Sequence, residues 1–463
     1  MRKVDLVVAE IGSTTTVVSA FNGLAENTLS LVAQGQAATT VLDGDVTIGL
    51  YKALGQIEDQ LGDTLDWDEM VASSSAAGGL RMTVHGLVYD MTVKAAREAA
   101  LGAGANIHWV TAGELSPDDI ARVEQIRPNI ILLAGGVDYG EKNTVIANAR
   151  HLSALKQPVP VIYAGNIAAA ETVRGILESA GFPVSRVDNV YPRIDKLNIE
   201  PSRRIIHEVF EKHIVEAPGM QKIRELVSGR IIPTPGAVMR AAQLLYEMIG
   251  DLMVLDVGGA TTDVHSVTEG DPETAALLVA PEPLAKRTVE GDLGVYINAG
   301  NVLSLCDLQA VCKKTGRRPE QLMELCVPIP ATAEEREFIS CLAAAAVKTA
   351  VERHAGTIEY LYGPTGRMTI ARGKDLTQVK WIIGTGGALT RLPAGPELLA
   401  AVNADRGGLQ LLPRHGKVLV DHQYIFAAAG LLADKYPIAA QNLLRASLKL
   451  EEGFQDSSTQ SPL

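Results

Sequence analysis

Two short stretches of this sequence carry the residue types that handle phosphate. In each, an acidic residue closes an apolar, β-branched run, a glycine follows two positions later, and hydroxyl residues come next. The first holds Glu10, Gly12, Ser13, Thr14 and Thr15; the second holds Asp256, Gly258, Gly259, Thr261, Thr262 and Asp263. Glycine permits positive φ and leaves the neighbouring backbone N–H groups unobstructed. Successive exposed N–H groups make a concave anion site, and threonine and serine hydroxyls add donors. A carboxylate at the end of the first strand can hold a hydrated divalent cation beside phosphate oxygens. Glu10 and Asp256 are thus candidate magnesium-binding residues, and Asp263 either joins them or caps its hairpin. A third glycine-rich turn, Gly384-Thr385-Gly386-Gly387, follows the apolar run Trp381-Ile382-Ile383.

The first two stretches echo each other. Without gaps, Val8 meets Val254, Glu10 meets Asp256, Gly12 meets Gly258, Thr15 meets Thr261, Thr16 meets Thr262 and Val18 meets Val264. Self-similarity over about half the chain predicts two related domains rather than a short-period solenoid. Each copy reads as a β-hairpin: a strand (Leu6 to Ile11; Leu252 to Val257), a Gly/Ser/Thr tip, and a second strand (Val17 to Phe21; Val264 to Val267).

Other elements must position these tips. Residues 129–136, 159–166 and 184–190 read as strands separated by helical patterns at 143–156 and 168–180. Such a βαβαβ run implies a parallel sheet with right-handed crossovers. Residues 203–216, 237–249, the Ala-rich 335–360 and 424–434 read as helices. The polar tail 451–463 reads as disordered. The expected division is a first half at 1–249, including an α/β segment at about 115–200, and a second half at 250–450.

Composition narrows the function classes. The chain has 463 residues, 47% apolar and 21% charged, enough to bury a large core. Only 4% are aromatic, against 43 glycines, which favours α/β architecture over an all-β sandwich. A net charge of −12 argues against a nucleic-acid partner. The basic group Lys313, Lys314, Arg317 and Arg318 reads as a solvated turn. Cys306, Cys312, Cys326 and Cys341 show no C-x-x-C spacing, so neither a disulfide framework nor a metal cluster is expected. His207 and His213 are six apart and do not share a helical face, which speaks against a metal site there. Asp5 interrupts any signal-peptide core, and no apolar run reaches about 18 residues. A cytoplasmic protein with no membrane partner is the expectation.

Paired acidic hairpins followed by a strand–GTGG–helix pattern resemble the superfamily of sugar kinases, heat-shock ATPases and actin. That resemblance implies two RNase H-like domains, the actin-like ATPase fold, facing each other across a nucleotide cleft. It implies that Gly12 to Thr16 grip the β- and γ-phosphates of ATP, that Asp256 to Asp263 grip them from the opposite side, and that Gly384, Gly386 and Gly387 lie against adenosine.

A closer resemblance spans nearly the whole chain. The stretches at 34–50, 73–88, 131–140, 160–166, 233–239, 255–267, 286–294, 353–356 and 382–390 are similar to the glutamate mutase MutL family, also called GlmL, which is unrelated to the mismatch-repair protein of the same name. The resemblance implies an ATP-dependent accessory or reactivating factor for an adenosylcobalamin-dependent mutase, similar in role to diol dehydratase reactivase. Its implied partners are mutase subunits, ATP and ADP, and its implied cofactors are ATP and Mg2+. The sequence departs from that pattern in the first hairpin: Glu10 replaces an aspartate and Val17 a lysine. Loss of the lysine removes a positive charge near the phosphates, so a slow ATPase is expected. Glu290 or Asp292, in a charged loop around Gly291, could orient an attacking water. Two other readings stay open: a small-molecule kinase using Asp138 or Glu290 as base, and a nucleotide-binding scaffold without turnover.

Overall fold

The computed structural model describes residues 1–75, 81–103, 105–194, 196–216, 219–220, 222–229, 231–363, 366–403 and 409–450. The tail at 451–463 and part of the 73–88 motif lie outside the described residues. The chain divides into two units: Met1–Ala76, Pro218–Val279 and Leu284–Leu463 form one, and Ala77–Ala217 with Ala280–Pro283 form the other.

The first unit opens with β1 (Arg2–Ile11), β2 (Thr15–Asn22), β3 (Ser30–Ala38) and β4 (Leu65–Ser74). β1 runs antiparallel to β2 and parallel to β4, and β2 runs antiparallel to β3. Leu6, Val7, Val8, Ala9 and Ile11 are all buried. A strand covered on both faces needs a continuous apolar run rather than alternation, which is what β1 carries.

In the second unit, β5 (Arg81–Gly86), β6 (Asn106–Ala112), β7 (Ile130–Leu133), β8 (Val161–Tyr163) and β9 (Val184–Arg186) form a parallel sheet in the order β6-β5-β7-β8-β9. The sequence reading anticipated the last three strands but not β5 and β6. Polar residues hide β5: its buried His85 is satisfied within the sheet by Thr111 Oγ1 at 2.8 Å and Thr83 Oγ1 at 3.0 Å. Burial pushes the His85 imidazole down to about 4, so it stays neutral.

Back in the first unit, β10 (Ile231–Pro233) adds to β4 and completes a sheet of order β10-β4-β1-β2-β3. Then follow β11 (Leu252–Val257), β12 (Thr262–Val267), β13 (Ala285–Glu290), the hairpin β14 (Thr357–Gly363) and β15 (Gly366–Arg372), β16 (Trp381–Thr385) and β17 (Lys417–Val420). Their main sheet runs β13-β12-β11-β16-β17. Three antiparallel strands continue into two parallel ones, as in the first sheet. The echo in sequence is therefore a duplicated topology, the paired RNase H-like arrangement of the actin-like ATPase fold. β11 is covered on both faces. Leu252 and Val254 pack with Ala241 and Leu245 of the helix Thr234–Ile249, while Met253, Leu255 and Val257 pack with Phe338 and Leu342 of the helix Ala333–His354.

The helix Ala333–His354 starts on a capping box between Thr332 and Glu335. It ends six residues before the expected 360. Ala355 and Gly356 turn the chain, and the strand-favouring residues Thr357, Ile358, Tyr360 and Tyr362 carry it into β14. Among the described residues, no helix is long and apolar enough to cross a membrane.

Candidate functional site

The two acidic hairpins share their register. Glu10 pairs with Val17 and Ile11 with Thr16; Asp256 pairs with Asp263 and Val257 with Thr262. Each tip closes on the same bond, Gly12 N–H to the Thr15 carbonyl at 2.9 Å and Gly258 N–H to the Thr261 carbonyl at 3.0 Å. Among the described residues, the backbone N–H groups of Ser13, Thr14, Gly259 and Ala260 donate to nothing. Unspent amides on a tight turn form a concave donor surface for an anion. The tips also meet. A Cβ on Gly259 would sit 2.6 Å from Thr14 Oγ1, inside contact distance, so any larger residue here would force the Thr14 side chain to shift.

Both tips line one cavity of about 800 Å³. Its walls include Glu10, Gly12, Ser13, Thr14, Thr15, Asp256, Gly258, Gly259, Thr261, Asp263 and Gly387. Arg336 and Arg391 also line it and supply positive charge. Glu10 and Asp256 are half-buried strand-end carboxyls. Burial, with repulsion from Asp256 and Asp421, pushes Glu10 up to about 8, against a stabilising hydrogen bond from Tyr424. Burial, with repulsion from Asp263 and Asp421, pushes Asp256 up to about 7, while Arg287 opposes the shift.

Sequence reasoning missed two residues here. Tyr424 donates its hydroxyl to Glu10 Oε1 at 3.3 Å and sits in left-handed backbone, φ 52°. Asp421 is fully buried just past β17. It accepts from Thr385 Oγ1 (3.0 Å), Ser447 Oγ (2.5 Å) and the amides of Ile425 (3.0 Å) and Phe426 (2.9 Å). An apolar strand closed by an aspartate was its available signal, the same one that marks Asp256. Tyr424 had none, because its place depends on a turn formed after Asp421 is anchored.

Other candidates are committed elsewhere. Asp263 forms a buried ion pair with Arg287, 2.8 Å to Nε and 2.5 Å to Nη2, and its second oxygen accepts from Thr261 Oγ1 at 3.2 Å. Thr262 donates to the Leu293 carbonyl at 2.8 Å and does not line the cavity. Glu290 is also outside the lining and accepts from Arg353 Nη1 at 2.7 Å. Asp292 accepts from both Arg353 amino groups. Strand alternation is the reason: Thr262 and Glu290 pair across the ladder and face away from the Asp256–Asp263 pair. Gly384 lies inside β16, off the cavity. Gly386, at φ 83°, backs the Asp256 carboxylate, where a Cβ would fall 2.5 Å from Oδ1. Of that turn only Gly387 reaches the lining.

The donor set bears on magnesium. Among the described residues, no three His, Cys, Asp or Glu side chains are grouped to hold a metal ion alone. Two strand-end carboxyls beside free tip amides fit an ion that keeps most of its waters and takes phosphate oxygens as further ligands. Gln423 fits a polar ligand as well: it lines the cavity, and its Oε1 is buried without a partner. Elsewhere, Asp138 accepts from Ile167 N–H and Asn189 Nδ2, which makes it a brace of the β7 and β8 loops. The side chains of His207 and His213 lie outside the description.

The chain was compared with solved structures and with known sequences. A carbohydrate kinase from Novosphingobium aromaticivorans is 11% identical, covering 97% of this chain and all of that one at a TM-score of 0.31. A nucleotide-free diol dehydratase-reactivating factor is 12% identical, covering 93% and 99% at a TM-score of 0.34. In sequence, Protein MutL of Clostridium tetanomorphum is 38% identical, covering 95% of this chain and 98% of that protein. The family model described as MutL protein matches residues 6–448. The chain belongs to the MutL protein family.

Proposed function

We propose that this protein is an ATP-dependent accessory factor that reactivates an adenosylcobalamin-dependent mutase, such as glutamate mutase. The observation that carries the reading is the contact between two duplicated hairpin tips, each with unspent amides, over a cavity of about 800 Å³. That volume suits a nucleotide-sized ligand. The tips bind the triphosphate from opposite sides through Ser13, Thr14, Thr15, Gly259 and Thr261. Glu10 and Asp256 hold the waters of Mg2+, and Gly387 borders the nucleoside. When bound, the ion neutralises phosphate charge. Asp256 orients the attacking water. Asp263 acts by fixing the second hairpin to Arg287, and Glu290 has no assigned part in the chemistry.

Coupling to a mutase would use the duplicated build. Gripping the γ-phosphate joins the two sheets through their tips, and its loss releases that tie. A partner responds only if it binds the two states with different affinity. The test measures ATP hydrolysis with and without glutamate mutase, together with recovery of a mutase inactivated by damaged cobalamin. Stimulated turnover with recovered activity is expected. Absence of nucleotide binding and of any effect on the mutase overturns the reading. Binding without turnover leaves a scaffold, and a metabolite-dependent release of ADP indicates a kinase.

A further inference from the structure

β14 and β15 form a two-stranded ribbon whose base and outer half are managed differently. At the base, both outer edges are covered. Ile358 N–H donates to the Leu409 carbonyl, and among the described residues an isolated bridge joins Thr357 to Gln410. On the other side, Ala371 exchanges backbone hydrogen bonds with Leu277 and Val279. Beyond that base the ribbon carries large apolar side chains into solvent: Tyr360 is 40% exposed, Leu361 42%, Tyr362 80% and Met368 57%. An exposed hydrophobic edge strand is a template for pairing with another chain.

The ladder fixes which backbone groups face outward. Ile358 turns its N–H away from β15, so Tyr360 and Tyr362, two and four residues on, turn theirs the same way. Among the described residues, neither tyrosine has a backbone partner on that edge. The free groups are placed symmetrically about Leu361.

We propose that β14 pairs antiparallel with β14 of a second copy of this chain, on a two-fold axis through Leu361. In that register Tyr360 lies opposite Tyr362 of the partner copy, and the reverse pair repeats it. These are the hydrogen-bonded positions, so the outward groups of both tyrosines are used. Leu361 then faces its own counterpart in the non-hydrogen-bonded position, where side chains come closest. The composition is self-complementary. One face gathers four tyrosine rings in cross-strand pairs, which favour association. Arg367, stacked 4.5 Å over Tyr360, is already placed against that face. The opposite face brings Leu361 and Met368 together. Within β14 itself no like charges face each other, because Glu359 lies opposite Gly363 of the second copy. An extended segment of a different protein would gain the backbone bonds but not this symmetric match.

The inference does not depend on the nucleotide reading. Its test is the mass of the full chain in solution, by sedimentation equilibrium from about 1 to 100 µM, the range where modest interfaces assemble. A dimer is expected. Leu361→Lys puts like charges opposite each other and raises the dissociation constant by about tenfold or more. At concentrations low enough for the parent chain to be monomeric, the exposed position should leave the melting curve unchanged. A second variant fixes the register. Leu361→Cys forms an intermolecular disulfide under mild oxidation, because facing Cα atoms about 4.5 Å apart suit that bond. Tyr360→Cys and the parent chain do not. A monomer at the highest concentration overturns the proposal. So does a dimer that tolerates Leu361→Lys, one linked through position 360 instead of 361, or a ribbon that pairs only with another protein.

Discussion

The two hairpins share a ladder and a turn, yet they are braced by opposite means. In the first, Glu10 faces Val17, and the bracing is neutral: Thr16 Oγ1 lies 2.9 Å from Thr39 Oγ1, which donates to the Gly12 carbonyl at 2.8 Å. In the second, Asp256 faces Asp263, which is locked to a guanidinium only 1% exposed. The contrast shows in what opposes burial at each strand-end carboxyl. Burial lifts both; Arg287 directly offsets the rise at Asp256, against repulsion from Asp263, whereas at Glu10 only the Tyr424 hydroxyl opposes it. Duplication preserved the geometry that presents amides to an anion and let the electrostatics diverge. The second hairpin therefore carries a cationic support for which the first has a valine, Val17, opposite its carboxyl.

Breaking the second brace should have the largest effect. Arg287→Ala leaves Asp263 buried without its partner, which costs about 3–5 kcal/mol by chemical denaturation. Val17→Ala in the first hairpin costs far less, and equal losses would erase the contrast. On the proposed function, Asp256→Asn lowers ATP turnover by about 10²-fold or more. Steady-state hydrolysis checks this, and full activity in that variant removes Asp256 from the chemistry.

The pH response separates the two carboxyls. Both are raised above the ordinary carboxylate range, so between about pH 4 and 8 the folded chain binds more protons than the unfolded one. Their stabilising contribution is full at low pH and lost as pH rises through about 7 for Asp256 and about 8 for Glu10. The melting temperature of the ligand-free protein should fall over that window. Glu10→Gln should flatten the upper part, and an unchanged slope would rule out a raised Glu10. The smallest effect sharpens the comparison from the other side. Val17 lines the cavity, so Val17→Lys places a cation in the first hairpin. ATP affinity should rise roughly tenfold at low salt and fall back at high salt. Calorimetric titration at two ionic strengths measures it.

What could be read from the chain alone were features encoded over a few residues. Both hairpins, with Glu10, Gly12, Asp256 and Gly258 at their turns, follow from apolar runs that end in an acid and a glycine. Their repetition announced the duplicated sheet. β7, β8 and β9 were legible as apolar runs between helices, but β5 was not, because His85 and its threonine partners satisfy one another only inside the sheet. The same limit governed the site. Thr262 and Glu290 have suitable chemistry, but the pleat turns them from the cavity toward Leu293 and Arg353. Asp263 was legible as a carboxylate, not as the partner of Arg287 on the neighbouring strand. Tyr424 reaches Glu10 across 414 residues of chain. Local sequence determined which turns could present amides and acids. Tertiary structure decided which of those groups share a cavity, because strand pairing and long-range packing set the direction of each side chain.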